Sequence, residues 1–370
     1  MVPAQSALPG TISPFDVADL RARVQRTIDK VLAQESLRLT NIDDDLLPLV
    51  EALTALLAGG KRVRPAFCYW GWRGALAGGL PPAEIDDPAM AASAALEFLQ
   101  ACALIHDDVM DGSDTRRGQP AAHRRFANLH RSNAWMGSPE HFGLGAAILL
   151  GDMCLSWSDQ VLLTSGMPDA ALNRAKPVYD EMRTELMAGQ YLDLLEQARG
   201  GGSIERALRV VRYKSAKYTI EKPLHLGAAL AGASPEVFTT YTAFGLPLGE
   251  AFQLRDDVLG VFGDPKETGK PAGDDLREGK RTVLIAIASE RASSAQISAI
   301  RTHLGDQGLD LAGVEELRQI ITDTGALDHA EQLISDLLQS SLLAIETDAI
   351  NPAARVIFTD LAHAATTRSV

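Results

Sequence analysis

The sequence has few cysteines, and their arrangement excludes two classes of small stabilised domain. Cys68, Cys102 and Cys154 are the three cysteines of the 370-residue chain. They are odd in number, widely spaced and set in apolar runs, so neither a disulfide framework nor a zinc-binding pattern fits them. We therefore expect buried, reduced thiols in a cytoplasmic protein.

Positive charge is scarce relative to negative charge. The formal net charge is −13 at pH 7. A chain this acidic is a poor candidate for holding nucleic acid or an anionic membrane by bulk charge. We expect no nucleic-acid partner, and an anionic substrate would need a local basic cluster or bound cations.

Long, uninterrupted apolar runs are also lacking. Ala89–Ile105 contains Glu97 and Gln100, and Gly143–Leu150 is too short to span a bilayer. Residues 1–14 have no basic stretch followed by a long apolar one, so we expect a flexible tail rather than a signal peptide. The predicted protein is cytoplasmic, without stable membrane insertion.

Helical periodicity dominates what is present. Phe15–Glu35 carries apolar residues at spacings of three and four, and Ala89–His106 is rich in alanine and leucine. No composition break divides the chain, so we predict one all-α domain over residues 15–370, a large helical bundle. Further helices are predicted at Leu46–Ala58, Gly145–Leu163, Pro177–Arg199, Ile204–Ala231, Phe238–Phe262, Thr282–Glu290, Ser294–His303, Gly313–Thr324 and Ala326–Ile345, with long loops at Gly112–Phe142 and Gly263–Arg281.

Two acidic clusters lie in these helical segments. The spacing of Asp107, Asp108 and Asp111 places three carboxylates on one helix face, where like charges repel. A bound cation relieves that repulsion, and Mg²⁺ prefers oxygen ligands together with phosphate. A solvated helix end is the alternative for this cluster alone, but Asp256 and Asp257 repeat the pattern inside a second apolar helix. Together the clusters indicate divalent ions held between two helices.

Basic residues accompany both acidic clusters. Guanidinium forks and ammonium groups match phosphate oxygens. Ordinary surface charge would explain single basic residues, but their position in an acidic chain suits a substrate with two phosphates. The residues are Lys61, Arg62 and Arg64 in the turn 59–65, Arg116 and Arg117 after the first cluster, and Lys266, Lys270 and Lys280 after the second.

These motifs resemble those of the trans-isoprenyl diphosphate synthases, or polyprenyl synthetases, and most of all bacterial members that make geranylgeranyl diphosphate. The ordered set is highly specific. It implies an isoprenoid synthase bundle with a central catalytic cavity, and a homodimer. The matching segments are Gly59–Pro65, Ile105–Gly118, Gly151-Asp152, Gly189–Asp193, Tyr213–Ser215, Phe252–Gly260, Gly269-Lys270, Asp274–Leu276 and Gly279–Thr282.

The resemblance implies a magnesium-dependent condensation of isopentenyl diphosphate with an allylic diphosphate. Three Mg²⁺ ions per site, with Mn²⁺ as a substitute, would be held by the five aspartates. The allylic carbon–oxygen bond breaks, isopentenyl diphosphate attacks the cation, and the departing diphosphate takes the proton. The implied catalytic residues are Asp107, Asp108, Asp111, Asp256, Asp257, Lys214 and Lys270; the implied substrate-binding residues are Gly60, Lys61, Arg64, Gln100, Arg116, Arg117, Lys214 (or nearby Lys217), Ser215, Gln253, Lys270 and Lys280.

Two positions depart from the family's pattern. Gly260 stands where many members have a third Asp in the second motif, and Gln100 stands where many have a His. Two alternatives are weighed against the synthase. A class I terpene cyclase would not need the turn at 59–65, and a non-catalytic subunit that tunes an active synthase would tend to lose aspartates.

The helix before the first cluster predicts the product length. The growing chain is expected to run from the aspartates back along Ala89–His106. Cys102 and Ala103 lie one turn back, where side chains would form the floor of the tunnel that holds the growing chain. Both are small, whereas relatives that stop at fifteen carbons close this floor with aromatic rings. Phe98 and Leu99 are bulky enough to close a deeper floor. The small residues could serve helix packing alone, but we predict a product longer than fifteen carbons, geranylgeranyl diphosphate.

Overall fold

The computed structural model describes residues 13–76, 83–200, 203–264 and 273–367. These residues are almost entirely helical, which confirms the all-α prediction. The first helices are α1 (Leu20–Thr40), α2 (Leu47–Leu57), α3 (Val63–Ala75), α4 (Ala83–Asp111), α5 (Ala122–Ser132), α6 (Pro139–Leu163) and α7 (Asp169–Arg199). The later ones are α8 (Ile204–Val210), α9 (Lys222–Ala231), α10 (Pro235–Phe262), α11 (Asp274–Arg277), α12 (Val283–Arg291), α13 (Ser294–His303), α14 (Leu311–Asp323), α15 (Ala326–Ala344) and α16 (Pro352–Thr366). Short 3₁₀ turns, Pro14–Asp19 and Asp44–Leu46, precede α1 and α2.

Helix α4 is the centre of the bundle. Most of its side chains between Met90 and Ile105 are buried, and its many alanines allow neighbouring helices to approach closely. The Ser158 hydroxyl on α6 donates to the carbonyl oxygen of Ala95 at 2.6 Å, which joins the two helices inside the core. Because the first acidic cluster forms the last turn of α4, the core packing determines where its carboxylates lie.

By length and composition, Glu84–Asp111 and Pro139–Leu163 are both apolar enough to cross a membrane. In α4, 72% of the most apolar window is buried inside the protein, as expected of a core helix, but in α6 the share is only 44%. Helix α6 therefore carries apolar side chains on its outer face.

The apolar core has two parts, and α10 runs through both. The first half of α10, with Phe244 and Leu248, packs with α1–α4, α6, α7, α9 and α16. Its second half, with Leu254 and Val258, packs with α8 and with α11–α15. The second acidic cluster lies on this second half, so it is anchored by the smaller core.

The structure corrects both predicted loops. Gly112–Phe142 contains a two-stranded hairpin, β1 (Thr115–Arg116) and β2 (Gln119–Pro120), followed by α5. Helix α5 is short and basic, but it buries His123 and Phe126 against the bundle. The described part of Gly263–Arg281 contains α11. The sequence analysis also missed α3 and α16.

The predicted helix Ile204–Ala231 is interrupted. Val211–Glu221 winds as a π-helix, here called the π segment, between α8 and α9. Such wider turns frequently occur at functional sites because they redirect side chains. This segment carries Lys214 and Ser215.

Candidate active site

The carboxylates of the first cluster are paired with cations from other elements. Arg116 on β1 donates through Nε to Asp108 Oδ1 at 2.9 Å, and its Nη2 contacts the same oxygen. Lys214 Nζ lies 3.0 Å from Asp107 Oδ1, and the Gln190 amide donates to the same oxygen at 2.9 Å. The hairpin and the π segment therefore supply counter-charges for the end of α4.

Asp111 forms no direct ion pair with a described residue, although the charges of Lys214 and Lys280 act on it. Both its carboxylate oxygens are buried, and within the described residues neither meets a hydrogen-bond donor. Burial, followed by the charge of Asp107, raises the pKa of Asp111 to about 6. A buried acceptor without a donor fits a cation. The described residues contain no ready-made group of three acidic, His or Cys ligands, but Mg²⁺ needs only one or two carboxylates plus substrate phosphates.

Lys214 lies between two carboxylates. Its Nζ is 2.6 Å from Asp193 Oδ2, in addition to its contact with Asp107. Burial lowers the pKa of Lys214, but these carboxylates raise it above its usual value, so the ammonium stays charged. Lys217 instead pairs with Glu185. Of the two lysines that the sequence left open, Lys214 is the one that contacts the first cluster.

Two glycines hold the π segment against its neighbours. A Cβ on Gly189 of α7 would lie 2.3 Å from the backbone nitrogen of Lys214, and one on Gly249 of α10 would lie 2.5 Å from the carbonyl oxygen of Ala216. Real side chains do not tolerate such distances. The two glycines therefore bring α7 and α10 close to Lys214 and to half-buried Ser215.

The second cluster lies on the buried side of α10. The Gln253 amide donates to Asp257 Oδ1 at 2.8 Å, and Asp256 is half-buried beside it. Burial raises the pKa of Asp257 to about 8, and the charges of Asp275 and Asp256 contribute to the shift. In this structure Gln253, expected to bind substrate, is engaged with the aspartate one turn along α10.

Lys280 pairs with acidic residues that follow the second cluster, and its charge acts on both clusters. Its Nζ lies 3.2 Å from Asp275 Oδ1 and 2.8 Å from Glu278 Oε2, while the Ser113 hydroxyl donates to Glu278 Oε1 at 2.7 Å. Burial raises the pKa of Asp107, but the charges of Lys214 and Lys280 outweigh it and lower that pKa overall. The segments that follow the two clusters thus touch, and one lysine acts on both.

Arginines gather at the turn before α3. Arg62 is buried and contacts Glu97 of α4, which fixes the turn. Arg117 donates to the carbonyl oxygen of Leu56 at 2.9 Å, and its guanidinium lies 3.7 Å from the point where a Cβ on Gly60 would stand. Two predicted substrate-binding residues, Gly60 and Arg117, are therefore adjacent.

Arg64 is held in place by the π segment. Its guanidinium lies 4.1 Å from the ring centre of Tyr218, and its Nη2 donates to Thr219 Oγ1 at 3.0 Å. The Arg64 Nε is buried and has no partner among the described residues. Lys61 is exposed nearby in the chain, and Gln100 is half-buried on α4.

The predicted chain-length residues lie in the core of α4. Phe98, Leu99 and Cys102 are buried, and Ala103 is half-buried. The ring of Phe98 meets Trp157 of α6 edge to face, with 6.4 Å between ring centres. The predicted deeper floor of the tunnel thus includes two aromatic rings in contact, one from α4 and one from α6. The ring of Trp157 was not predicted from the sequence.

Some residues fall outside these contacts or were not foreseen. Lys266 and Lys270 lie outside the described residues. Asp193, Gln190 and Asp275, which contact the lysines or aspartates, were not assigned roles, although each stands in a quoted motif segment. Their position in Gly189–Asp193 and Asp274–Leu276 was the available signal.

Comparisons with known proteins identify the family of the chain. A family profile described as polyprenyl synthetase matches residues 48–321. A geranylfarnesyl diphosphate synthase from Aeropyrum pernix is 34% identical over 283 residues, which cover 76% of this chain and 81% of the relative. A geranylgeranyl diphosphate synthase from Mycobacterium tuberculosis is 30% identical over 293 residues, 79% of this chain and 76% of its own.

A solved structure extends the similarity to nearly the whole chain. The geranylgeranyl pyrophosphate synthase from Corynebacterium glutamicum, complexed with isoprenyl diphosphate and magnesium, has a TM-score of 0.91 and 41% sequence identity, and the match covers 96% of this chain and 100% of that one. These relatives are named as prenyl diphosphate synthases, which excludes the terpene cyclase alternative. The chain belongs to the polyprenyl synthetase family and is a prenyltransferase.

Proposed function

We propose that the protein elongates an isoprenoid chain by condensing isopentenyl diphosphate with an allylic diphosphate, and that geranylgeranyl diphosphate is its product. One observation carries the proposal. The segments that follow the two acidic clusters meet at Lys280, which pairs with Asp275 and Glu278 and whose charge also lowers the pKa of Asp107. Beside them, the buried carboxylate oxygens of Asp111 have no hydrogen-bond donor among the described residues. In a metal–diphosphate complex, the metal would supply the positive charge for the carboxylates. The phosphates would supply the negative charge for the lysines and arginines.

Mg²⁺ is the proposed cofactor, with three ions in the complete site and Mn²⁺ as a substitute. Support comes from the unpaired oxygens of Asp111 and from the magnesium in the similar Corynebacterium glutamicum structure. When bound, the cations stabilise the negative charge that develops on a departing diphosphate. The proposed ligands are Asp107, Asp108, Asp111, Asp256 and Asp257.

The allylic diphosphate would be bound by cations that now pair with the aspartates. Lys214 and Arg116 form hydrogen bonds with the first cluster, and the charge of Lys280 lowers the pKa of Asp107 in it. Each can exchange a carboxylate oxygen for a phosphate oxygen without becoming unpaired. The proposed allylic site consists of Arg116, Lys214, Ser215, Gln253, Lys270 and Lys280.

Isopentenyl diphosphate would be bound at the arginine-rich turn. Burial lowers the pKa of Arg117. The charge of Glu97 opposes this shift, and the charges of Arg62, Arg116 and Arg64 add to it. An anion with two phosphates would relieve this repulsion and would give an acceptor to the Arg64 Nε, which has none among the described residues. The proposed residues are Gly60, Lys61, Arg64, Gln100 and Arg117.

The product length would be set along α4. The small side chains of Cys102 and Ala103 would leave room for the growing chain, and the rings of Phe98 and Trp157, which meet edge to face, would close the tunnel further along α4. This arrangement supports a chain longer than fifteen carbons.

A homodimer is the proposed assembly. Apolar side chains on α6 are exposed, among them Leu149 at 62%, Ile148 at 47% and Phe142 at 39%. A patch of this kind on a helix marks a protein interface. A second copy would cover it, and light scattering on the wild type and on Leu149→Glu would show whether the variant is monomeric.

A product assay tests the proposed function. The purified protein is incubated with Mg²⁺, isopentenyl diphosphate and each allylic starter, and the dephosphorylated products are separated by chromatography. We expect geranylgeraniol, no turnover in excess chelator, and recovery when Mg²⁺ is restored. Asp111→Asn should abolish turnover, whereas the exposed Asp360→Asn on α16 should not. Turnover in excess chelator, or the absence of any condensation product, would contradict the proposal.

A further inference from the structure

The second acidic cluster is one side chain short of the first. In the first, Asp111 follows Asp107 and Asp108 by four and three positions. The equivalent position on α10 is Gly260, after Asp256 and Asp257. Residues three and four apart share a helix face, so a side chain at 260 would lie beside these two carboxylates.

The place of that missing side chain is occupied. A Cβ on Gly260 would lie 1.8 Å from Oδ2 of Asp275, 2.6 Å from its Cγ and 3.4 Å from its Cβ. The carboxylate of Asp275 therefore fills the space in which a side chain at 260 would begin. Asp275 lies on α11, the next described helix after α10.

Asp275 is held in this place by Lys280. Its Oδ1 lies 3.2 Å from Lys280 Nζ, and its carbonyl oxygen accepts from the Lys280 backbone N–H at 3.1 Å. The side chain is buried. A short side chain fixed at both ends of its residue has little freedom to move aside.

The backbone does not require a glycine at 260. Gly260 lies inside α10 and is not among the glycines with positive φ. Glycine in a helix interior costs about 1 kcal/mol relative to alanine. The room that it leaves for the carboxylate of Asp275 is the structural reason for this residue.

We propose that Asp275 supplies the third carboxylate of the second cluster, in the place of the side chain that is absent at Gly260. The inference rests on the proposed function, because it assigns Asp275 to the same metal and diphosphate site. Positions 260 and 275 then share one space. A carboxylate at one of them requires that the other has no side chain.

Four variants test the pair, with Mn²⁺ and inorganic diphosphate as probes. Asp275→Asn keeps the shape of the side chain and removes its charge. Gly260→Ala forces the carboxylate out of its place. Asp275→Gly removes it, and the double variant G260D/D275G moves a carboxylate to the other position. Asp274→Asn removes the same charge one residue away and serves as the control.

Free Mn²⁺, measured by electron paramagnetic resonance, gives the binding of the metal, and a thermal melt shows that each variant is folded. We expect Asp275→Asn and Gly260→Ala to bind Mn²⁺–diphosphate at least about tenfold more weakly than wild type. The double variant should recover binding to within about threefold of wild type, although Asp275→Gly alone does not. Asp274→Asn should bind as wild type does.

Other outcomes would overturn the pairing. If Asp275 only anchors Lys280, Asp275→Asn lowers the melting temperature and leaves Mn²⁺ binding unchanged. Equal binding by G260D/D275G and Asp275→Gly would show that a carboxylate at 260 is no substitute. Failure of the proposed function is a separate result, since wild-type protein would then bind Mn²⁺–diphosphate without forming a longer prenyl chain.

Discussion

Asp257 is the carboxyl group whose protonation we expect to control metal binding most strongly. Burial raises its pKa to about 8, and its neighbours Asp275 and Asp256 add to the shift. A metal ligand must be ionised, so cation binding at this cluster has to expel a proton from Asp257. Metal affinity should therefore increase with pH across the neutral range.

The size of the effect follows from the pKa. A group with a pKa of about 8 is ionised in roughly one molecule in ten at pH 7 and in half of the molecules at pH 8. The apparent affinity for Mn²⁺ should rise about tenfold between pH 6 and pH 7 and level off above pH 8. Asp111, with a pKa of about 6, adds a second rise at the acidic end.

The stability of the metal-free protein should change in the opposite direction. Both pKa values are higher in the folded state than the usual value near 4 for an unfolded aspartate. Between pH 4 and the folded pKa values, the folded protein binds more protons than the unfolded chain. The contribution of Asp111 and Asp257 to the free energy of unfolding is therefore lost as the pH rises towards 8.

The assay is a titration of Mn²⁺ without diphosphate, because diphosphate itself binds protons in this range. Calorimetry in two buffers with different ionisation enthalpies counts the protons released. Asp257→Asn should remove the pH-dependent step, and the exposed Asp360→Asn should retain it. A wild-type affinity that stays flat between pH 6 and pH 8, or an unchanged slope in Asp257→Asn, would refute the assignment.

Three further predictions concern other parts of the site. Arg64→Ala should raise KM for isopentenyl diphosphate about ten- to a hundredfold, since a charged hydrogen-bond partner is lost, and an equal rise for both substrates would show that the assignment is wrong. Ala103→Phe should shorten the product towards fifteen carbons and Trp157→Ala should lengthen it; unchanged products would mean that α4 does not measure the chain. Gly189→Ala should displace Lys214 and lower kcat at least about tenfold, whereas Gly145→Ala, at a glycine with open space around it, should not.

Local spacing predicted the parts of the site that local geometry determines. The carboxylates at 107, 108 and 111 share a helix face whatever packs around them, so their clustering follows from the sequence. The cationic partners of these carboxylates do not follow from local spacing. Lys214 reaches Asp107 across 107 positions in the chain, and that contact depends on a π-helix and on the close approach of Gly189.

Helix α3 shows why one element was missed. It is buried on all sides, so its apolar residues form no stripe with helical period. It also contains Gly71, where a Cβ would lie 2.8 Å from the carbonyl oxygen of Leu224 on α9. On α9, a Cβ on Gly227 would lie 2.1 Å from the carbonyl oxygen of Cys68 on α3. The glycines weaken the helical signal in the sequence and are the reason that the two helices pack so closely.

The charges of the metal-free site indicate how a substrate would enter it. Asp107 and Asp108 are matched by Lys214 and Arg116, which are also the proposed ligands of the diphosphate. Under the proposed function, Lys214 and Arg116 would exchange a carboxylate oxygen for a phosphate oxygen, and Asp107 and Asp108 would become available to hold a divalent cation. The paired cations and aspartates would keep a partner of opposite charge throughout that exchange, which is the condition under which buried ions are tolerated. Among the described residues, neither carboxylate oxygen of Asp111 has a hydrogen-bond donor, so Asp111 would hold a divalent cation without first losing a partner.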